Sequence, residues 1–95
     1  MDFQQFKIDI EGKLKDKVDF DLQEFRYLPY AFGNGLLAYR IKGYIFRFTH
    51  DGRDNLLTCE RSNSHEKYPH CNWTILFENS GLALDQKQID VFLNF

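Results

Sequence analysis

Two turn signals between strand-forming runs constrain the fold of this chain more than any other feature of the sequence. The segment Gly33-Asn34-Gly35 contains the dipeptide Asn-Gly, the strongest short signal for a β-hairpin. Residues 51–55, with the sequence Asp-Gly-Arg-Asp-Asn, form the second signal. Runs with β-strand character flank these turns over 36–42, 44–50 and 56–61. Because strands joined by short turns pair antiparallel, the sequence predicts an antiparallel meander in the middle of the chain.

The alternation of side chains along these runs predicts the two faces of the sheet. In the central run, Phe46 and Phe48 share one side of the strand and Arg47 lies on the other. We expect the two phenylalanines to face the core and the arginine to face solvent. Pro29 adds a second constraint: it confines its own run, over 25–30, to a sheet edge or ends it, because proline has no N–H to donate.

Both ends of the chain carry the spacing of amphipathic helices. Asp2 can cap a helix over 3–16, although part of this segment also alternates like a strand; the apolar stripe of the helix is Phe3, Phe6, Ile10 and Leu14. Asp85 can cap a second helix, with the stripe Ile89, Phe92 and Leu93. The run over 73–79 fits a last strand or a short helix, and the spacing of three bulky residues slightly favours the helix: Trp73, Leu76 and Phe77.

The predicted fold is α+β: a three- to four-stranded antiparallel meander sheet packed on one face by N- and C-terminal helices, with a polar loop over 62–72. The length of 95 residues fits one domain over 1–95. A hydrophobic content of 43 % argues against disorder, and the apolar runs are too short to span a membrane. With two cysteines and no pattern of a signal peptide at the N-terminus, we expect a cytoplasmic protein.

Charge is unevenly distributed along the chain. Residues 25–47 contain four basic residues and no acid, whereas the whole chain has a formal charge of −2. These four residues predict either a solvated sheet face or a basic platform for a phospholigand or nucleic acid, with Tyr39 or Tyr44 available for stacking: Arg26, Arg40, Lys42 and Arg47. The sequence pI of about 5.8 disfavours nucleic acid, because affinity there depends mainly on phosphate neutralisation.

The histidines and cysteines form no recognised catalytic or metal-binding pattern. Four of them lie within thirteen residues, but their spacing matches no known zinc motif: Cys59, His65, His70 and Cys71. An acid–base pair drawn from His50, His65 and His70, as a small ribonuclease would need, is a third and weaker hypothesis. We therefore predict no catalytic residues, no metal and no cofactor.

A non-enzymatic protein-binding role is the leading hypothesis. Small size, an aromatic content of 17 % and a mildly acidic balance are typical of bacterial immunity proteins, which inhibit a cognate toxin domain, a nuclease being one candidate. Acidic inhibitors complement the basic active sites of nucleases. We expect a monomer or weak dimer with no membrane contact. The residues predicted to bind the partner lie in turns and along the strand between them: Asp51, Asp54, Glu60, Glu66 and Tyr68.

Overall fold

The computed structural model describes residues 1–63, 65 and 67–94, with the backbone alone at position 92. It contains one five-stranded antiparallel sheet whose strand order is the order of the sequence, preceded and followed by a helix. The elements are α1 (Phe3–Leu14), β1 (Asp21–Leu28), β2 (Asn34–Ile41), β3 (Tyr44–Asp51), β4 (Leu56–Ser62), β5 (Trp73–Ser80) and α2 (Gln86–Leu93).

The predicted meander and α+β class are confirmed, with one strand more than the three to four expected. The segment that begins at Asp21 is a full edge strand, and it ends at Leu28 because Pro29 cannot continue the ladder. Residues 18–20 connect α1 to it without regular structure. The β3–β4 turn lies over 52–55 as its signal predicts, whereas the β1–β2 turn lies over 29–33, and Asn34 and Gly35, predicted to form that turn, already pair with β1 as the first residues of β2. β1 to β4 thus pair in successive hairpins.

The helix favoured for 73–79 is wrong, because this segment is the edge strand β5. A β-bulge explains the misleading spacing. Cys59 pairs with Phe77 and the next residue, Glu60, pairs with Ile75, so Leu76 is an extra residue in the ladder. Leu76 and Phe77 consequently both pack against the core. Two adjacent buried residues break the period of two that a strand would otherwise show, and together with Trp73 they imitate a helical stripe.

The two helices lie on one side of the sheet, here called the helix face, and enclose the core with it. The predicted stripe of α1 is buried throughout, and β3 contributes Phe46 and Phe48 to the same core. The expected orientation of Phe46 and Phe48 is therefore confirmed, with Arg47 on the opposite side, here called the far face. The expectation that Arg47 faces solvent is wrong, because its side chain pairs with Glu60, lies over the Trp73 ring and is only 24 % exposed. Aromatic rings fill much of this small core: Phe6 meets Phe48 edge-on at 5.4 Å between ring centroids.

Both helices begin where capping residues predict. The Asp2 carboxylate accepts from the backbone N–H of Gln5, and Asp85 forms a capping box with Gln88. The stripe of α2 places Ile89 in the core, whereas the side chain of Phe92 lies outside what the structure describes. In the described part of the chain, neither helix has the length and apolar character of a membrane span.

The loop after β4 folds back over part of the far face. Tyr68 donates a hydrogen bond to Glu24, which lies across the sheet on β1. Beneath this half of the far face Ala38, Ile45 and Ser62 are fully buried, although the helices lie on the other side. The polar loop predicted over 62–72 is thus more than a connection, because it covers the far face at the end where β4 leaves the sheet.

Candidate functional site

Exposed aromatic side chains are concentrated at one end of the sheet, where the β1–β2 and β3–β4 turns meet. Tyr30 is completely exposed and Phe32 is 62 % exposed, and Leu28 and Leu56 are exposed beside them. We call this region the tip surface and define it by Leu28, Tyr30, Phe32, Asp51, Arg53 and Asp54. Scattered apolar residues are normal on protein surfaces, but a contiguous group indicates an interaction site.

The two turns that form the tip surface are locked together by hydrogen bonds. His50 lies between them, with Nδ1 3.3 Å from the Gly33 carbonyl oxygen and Nε2 3.1 Å from Asn55 Oδ1. The backbone N–H of Gly52 donates to Asn34 Oδ1 at 2.7 Å. The tip surface is therefore a rigid platform rather than a pair of independent loops.

Close packing between the turns depends on a glycine. A Cβ atom added to Gly52 would lie 1.7 Å from the Phe32 carbonyl oxygen, a distance no side chain tolerates. Phe32 itself adopts a left-handed backbone conformation with φ of 58°, which is uncommon for a bulky residue. The Arg53 guanidinium lies 4.5 Å from the centre of the Phe32 ring. The fold thus holds an aromatic ring outward at a backbone position that costs free energy.

The acids of the tip surface have different roles. Asp51 Oδ1 accepts from the backbone N–H groups of Arg53 and Asp54, at 3.0 and 3.4 Å, and so closes the β3–β4 turn. Asp54 is exposed. Asp51 is therefore a structural as well as a charged residue, whereas the carboxylate of Asp54 is presented to solvent.

The structure separates the predicted partner-binding residues into two groups. Asp51 and Asp54 lie on the tip surface. Asp51 pairs with Leu56 at the start of β4, and Glu60 lies four residues beyond Leu56, roughly 13 Å along the strand at 3.3 Å per residue. There Glu60 accepts from Nε and Nη2 of Arg47, at 3.0 and 2.7 Å, and its side chain is only 16 % exposed. Tyr68 belongs to the folded-back loop and contacts Glu24, and Glu66 lies outside the described residues.

The four basic residues predicted as an alternative platform are dispersed and engaged. Arg26 pairs with Glu24, and Arg47 pairs with Glu60 while it stacks 4.0 Å above the Trp73 ring. The remaining two contact backbone carbonyls near the β2–β3 turn: Arg40 at Gly43 and Lys42 at Leu93. The tyrosines suggested for stacking pack against the core on the helix face. Tyr39 is fully buried against Phe20, and Tyr44 is packed against the core. Among the described residues, these four basic side chains do not form one continuous platform.

The cysteines and histidines do not converge. Cys59 is buried on the helix face, where burial raises the pKa of its thiol, while His65 meets Tyr44 edge-on at the far end of the sheet. His50 is committed to the two turns. Among the described residues, no group of three or more histidine, cysteine or acidic side chains is placed to hold a metal ion.

The bond between Tyr68 and Glu24 leads to a pH-dependent prediction. The Tyr68 hydroxyl is the main cause that lowers the pKa of Glu24, and burial followed by the same bond raises the pKa of Tyr68 to about 12. Because the pKa of Glu24 is lower in the folded chain, its ionised carboxylate stabilises the fold at pH values above the unfolded pKa of about 4.5. This stabilisation is lost as the pH falls below 4.5 and through the lower pKa of the folded chain. Because the pKa of Tyr68 is higher in the folded chain, its protonated hydroxyl stabilises the fold at pH values below the unfolded pKa of about 10. This stabilisation is lost as the pH rises towards 12.

We therefore expect Tyr68→Phe to lower the melting temperature most between about pH 5 and pH 9, with a smaller difference from wild type below about pH 4 and above about pH 10. Thermal unfolding followed by circular dichroism across this range measures the difference. Tyr30→Phe, which removes a hydroxyl from a fully exposed ring, is the matched control. A Tyr68→Phe difference that does not change with pH would contradict the assigned bond.

The aromatic residues of the tip surface were not singled out from the sequence. The sequence nevertheless indicates that they are exposed. Tyr30 and Phe32 lie just before the Asn-Gly dipeptide, which predicts a turn, and turn positions are exposed. The high aromatic content concealed this signal, because most phenylalanines in a chain of this size belong to the core.

Comparisons with known proteins add no assignment, since the chain matches no family model, no curated protein and no solved structure.

Proposed function

We propose that this chain is a non-enzymatic protein-binding module that contacts its partner through the tip surface. One observation carries the proposal: two rigid, interlocked turns hold Tyr30 and Phe32 outward beside Asp54. Tyrosine and arginine are enriched among residues that dominate binding energies, and rigid presentation limits the entropy lost on binding. Turns on a rigid sheet are also the usual location of binding residues.

The partner that suits this surface best is a basic protein domain. Aromatic rings supply apolar contact, while Asp51 and Asp54 supply negative potential around Arg53, whose guanidinium is stacked on Phe32. Acidic surfaces of this kind accelerate association with basic partners. We propose, as the specific case, a bacterial immunity protein that acts in the cytoplasm and neutralises a cognate toxin domain, with a nuclease as one candidate.

Co-expression tests this function. The product of the gene adjacent to the one that encodes this chain is expressed from an inducible promoter with and without the chain, and growth is recorded. We expect growth arrest without the chain, rescue with it, and a complex that co-purifies. A toxic product that the chain neither binds nor neutralises would contradict the inhibitor proposal, and a Tyr30→Ala, Phe32→Ala variant that rescues normally would move the contact away from the tip surface.

The acids of the tip surface give a kinetic prediction for that complex. Asp54→Lys is expected to slow association and weaken its salt dependence, because charges at the rim act mainly on the association rate, which steering raises above the unsteered value of about 10⁵–10⁶ M⁻¹s⁻¹. Asp51 is changed to Asn instead, since an amide keeps the oxygen that closes the turn while it removes the charge. Stopped-flow association at two salt concentrations measures the effect.

Glu78→Lys, at an exposed position of β5 outside the tip surface, is the matched control and should change the rate less. Equal effects of Asp54→Lys and Glu78→Lys would show that the net charge of the chain matters rather than the tip surface.

A further inference from the structure

The β1 edge of the sheet has an open ladder. Among the described residues β1 pairs with β2 alone, so alternate backbone N–H and C=O groups along it point away from the sheet. Such an edge is a template for pairing with another strand. A bulge at Gln23 interrupts β1, which leaves a regular stretch from Glu24 to Leu28.

A groove lined by both apolar and polar residues lies beside this edge. It lies between α1 and β1, has a volume of about 690 Å³, and is lined on its two sides by Ile8 and Phe25. Ile8 is 61 % exposed although it lies in a helix whose other large apolar residues are buried. Leu22, at the start of β1, is 47 % exposed. Apolar surface thus accompanies the unpaired backbone along the same side of the molecule.

The charges along this edge are self-complementary. Glu24 and Arg26 flank Phe25, and both lie on the far face, where Arg26 Nη2 is 2.5 Å from Glu24 Oε2 within the chain. If two copies of β1 pair antiparallel about a two-fold axis at Phe25, each Arg26 lies opposite Glu24 of the other copy. The regular ladder then spans residues 24–26 of both strands, because Tyr27 faces the bulge at Gln23. Opposite charges in facing positions stabilise a strand pair, and such a contact uses the same patch on both subunits.

The lysine that lines the groove is already engaged within the chain. Lys7 forms an ion pair with Glu11 at 2.8 Å on α1, and its ammonium group lies 5.5 Å from the centre of the Phe25 ring. The opposite edge of the sheet lacks this complementarity. Along β5 the one charged residue is Glu78, and pairing two copies there would add only like charges.

From these features we infer that the chain forms a two-fold symmetric homodimer through β1. The two sheets become one antiparallel sheet of ten strands, and the groove beside each β1 faces the Ile8 side of the second copy. The bond from Tyr68 holds the Glu24 carboxylate on the far face, where it faces the incoming arginine. Because the two β1 strands run antiparallel, the two tip surfaces lie at opposite ends of the seam. Leu28 lies at the margin of the seam, whereas Tyr30, Phe32 and Asp54 lie outside β1 and stay accessible.

Sedimentation equilibrium on the full chain, from about 1 µM to about 1 mM, tests the inference. We expect the average mass to rise towards twice that of the chain. Arg26→Glu places acids opposite each other and should weaken the dimer by about tenfold or more, whereas Glu24→Arg, Arg26→Glu restores opposite pairs and should recover most of the affinity. Circular dichroism confirms that each variant is folded.

A second pair of variants separates the β1 edge from general surface hydrophobicity. Leu22→Lys should abolish dimerisation, and Ile75→Lys, a change of the same kind at an exposed residue of β5, should leave it intact. A wild-type chain that stays monomeric at all concentrations would overturn the inference, and so would equal effects of these two changes or a double charge swap that fails to restore association. The readout is mass alone, so its outcome is independent of whether the chain neutralises a toxin.

Discussion

Phe48→Ala is expected to lower the free energy of unfolding by ~3–5 kcal/mol, a large part of the total stability of a small domain. Phe48 is 1 % exposed and lies in the middle of β3, in edge-on contact with Phe6 of α1. Its removal leaves a cavity between helix and sheet that the surrounding rings cannot fill without leaving their rotamers. Urea denaturation followed by circular dichroism measures the loss.

Phe32→Ala provides the control, because it deletes the same side chain from a ring that is 62 % exposed. We expect its effect on unfolding to stay within about 0.5–1 kcal/mol. If both substitutions destabilised equally, Phe32 would have to be part of the packed structure and could not be a presented residue of the tip surface. Near-neutrality of Phe48→Ala would contradict the register of β3.

Gly52→Ala is expected to destabilise the chain by roughly 1–3 kcal/mol or more, although it adds only one methyl group. That methyl would lie 1.7 Å from the Phe32 carbonyl oxygen, which belongs to the backbone and cannot rotate away. The two turns must separate, and the bond from the Gly52 N–H to Asn34 Oδ1 is then strained or lost. Thermal unfolding measures the cost.

Gly12→Ala is the matched control, because a Cβ atom at Gly12 meets nothing within 4 Å. In the last turn of α1 the change should stabilise the chain by about 0.5–1 kcal/mol through helix propensity and reduced freedom of the unfolded chain. Opposite signs for the same substitution at these two glycines are the expected result. A neutral Gly52→Ala would mean that the turns are not interlocked and that the tip surface is mobile.

The strands and helices that local patterns specify were predictable from the sequence. Asp2 and Asp85 mark the helix starts, and the alternation around Arg47 fixes which side of β3 is buried, because these signals depend only on neighbours in the chain. The bulge in β5 was not predictable. It depends on how Cys59 and Glu60 pair with a strand about sixteen residues away, and it replaces strand period with a pattern that resembles a helix.

The candidate site was predictable only in part. Asp51 and Asp54 could be placed in an exposed turn, but the sequence does not show that this turn packs on the one that carries Tyr30 and Phe32, about twenty residues earlier. Likewise the bond between Tyr68 and Glu24 joins residues 44 positions apart, and no local pattern announces it. Contacts between distant segments depend on the folded sheet, which is why Glu60 and Tyr68 were grouped with residues they do not adjoin.

The tip surface divides its residues into those that hold the turns and those that are shown to solvent. His50, Asn34 and Gly52 make the internal contacts, whereas Tyr30 and Asp54 project from the surface. Substitution at the second group leaves the first intact. Substitutions at the exposed positions can therefore accumulate one at a time while every intermediate sequence still folds, so the chemistry of this surface is free to diverge while the scaffold stays the same.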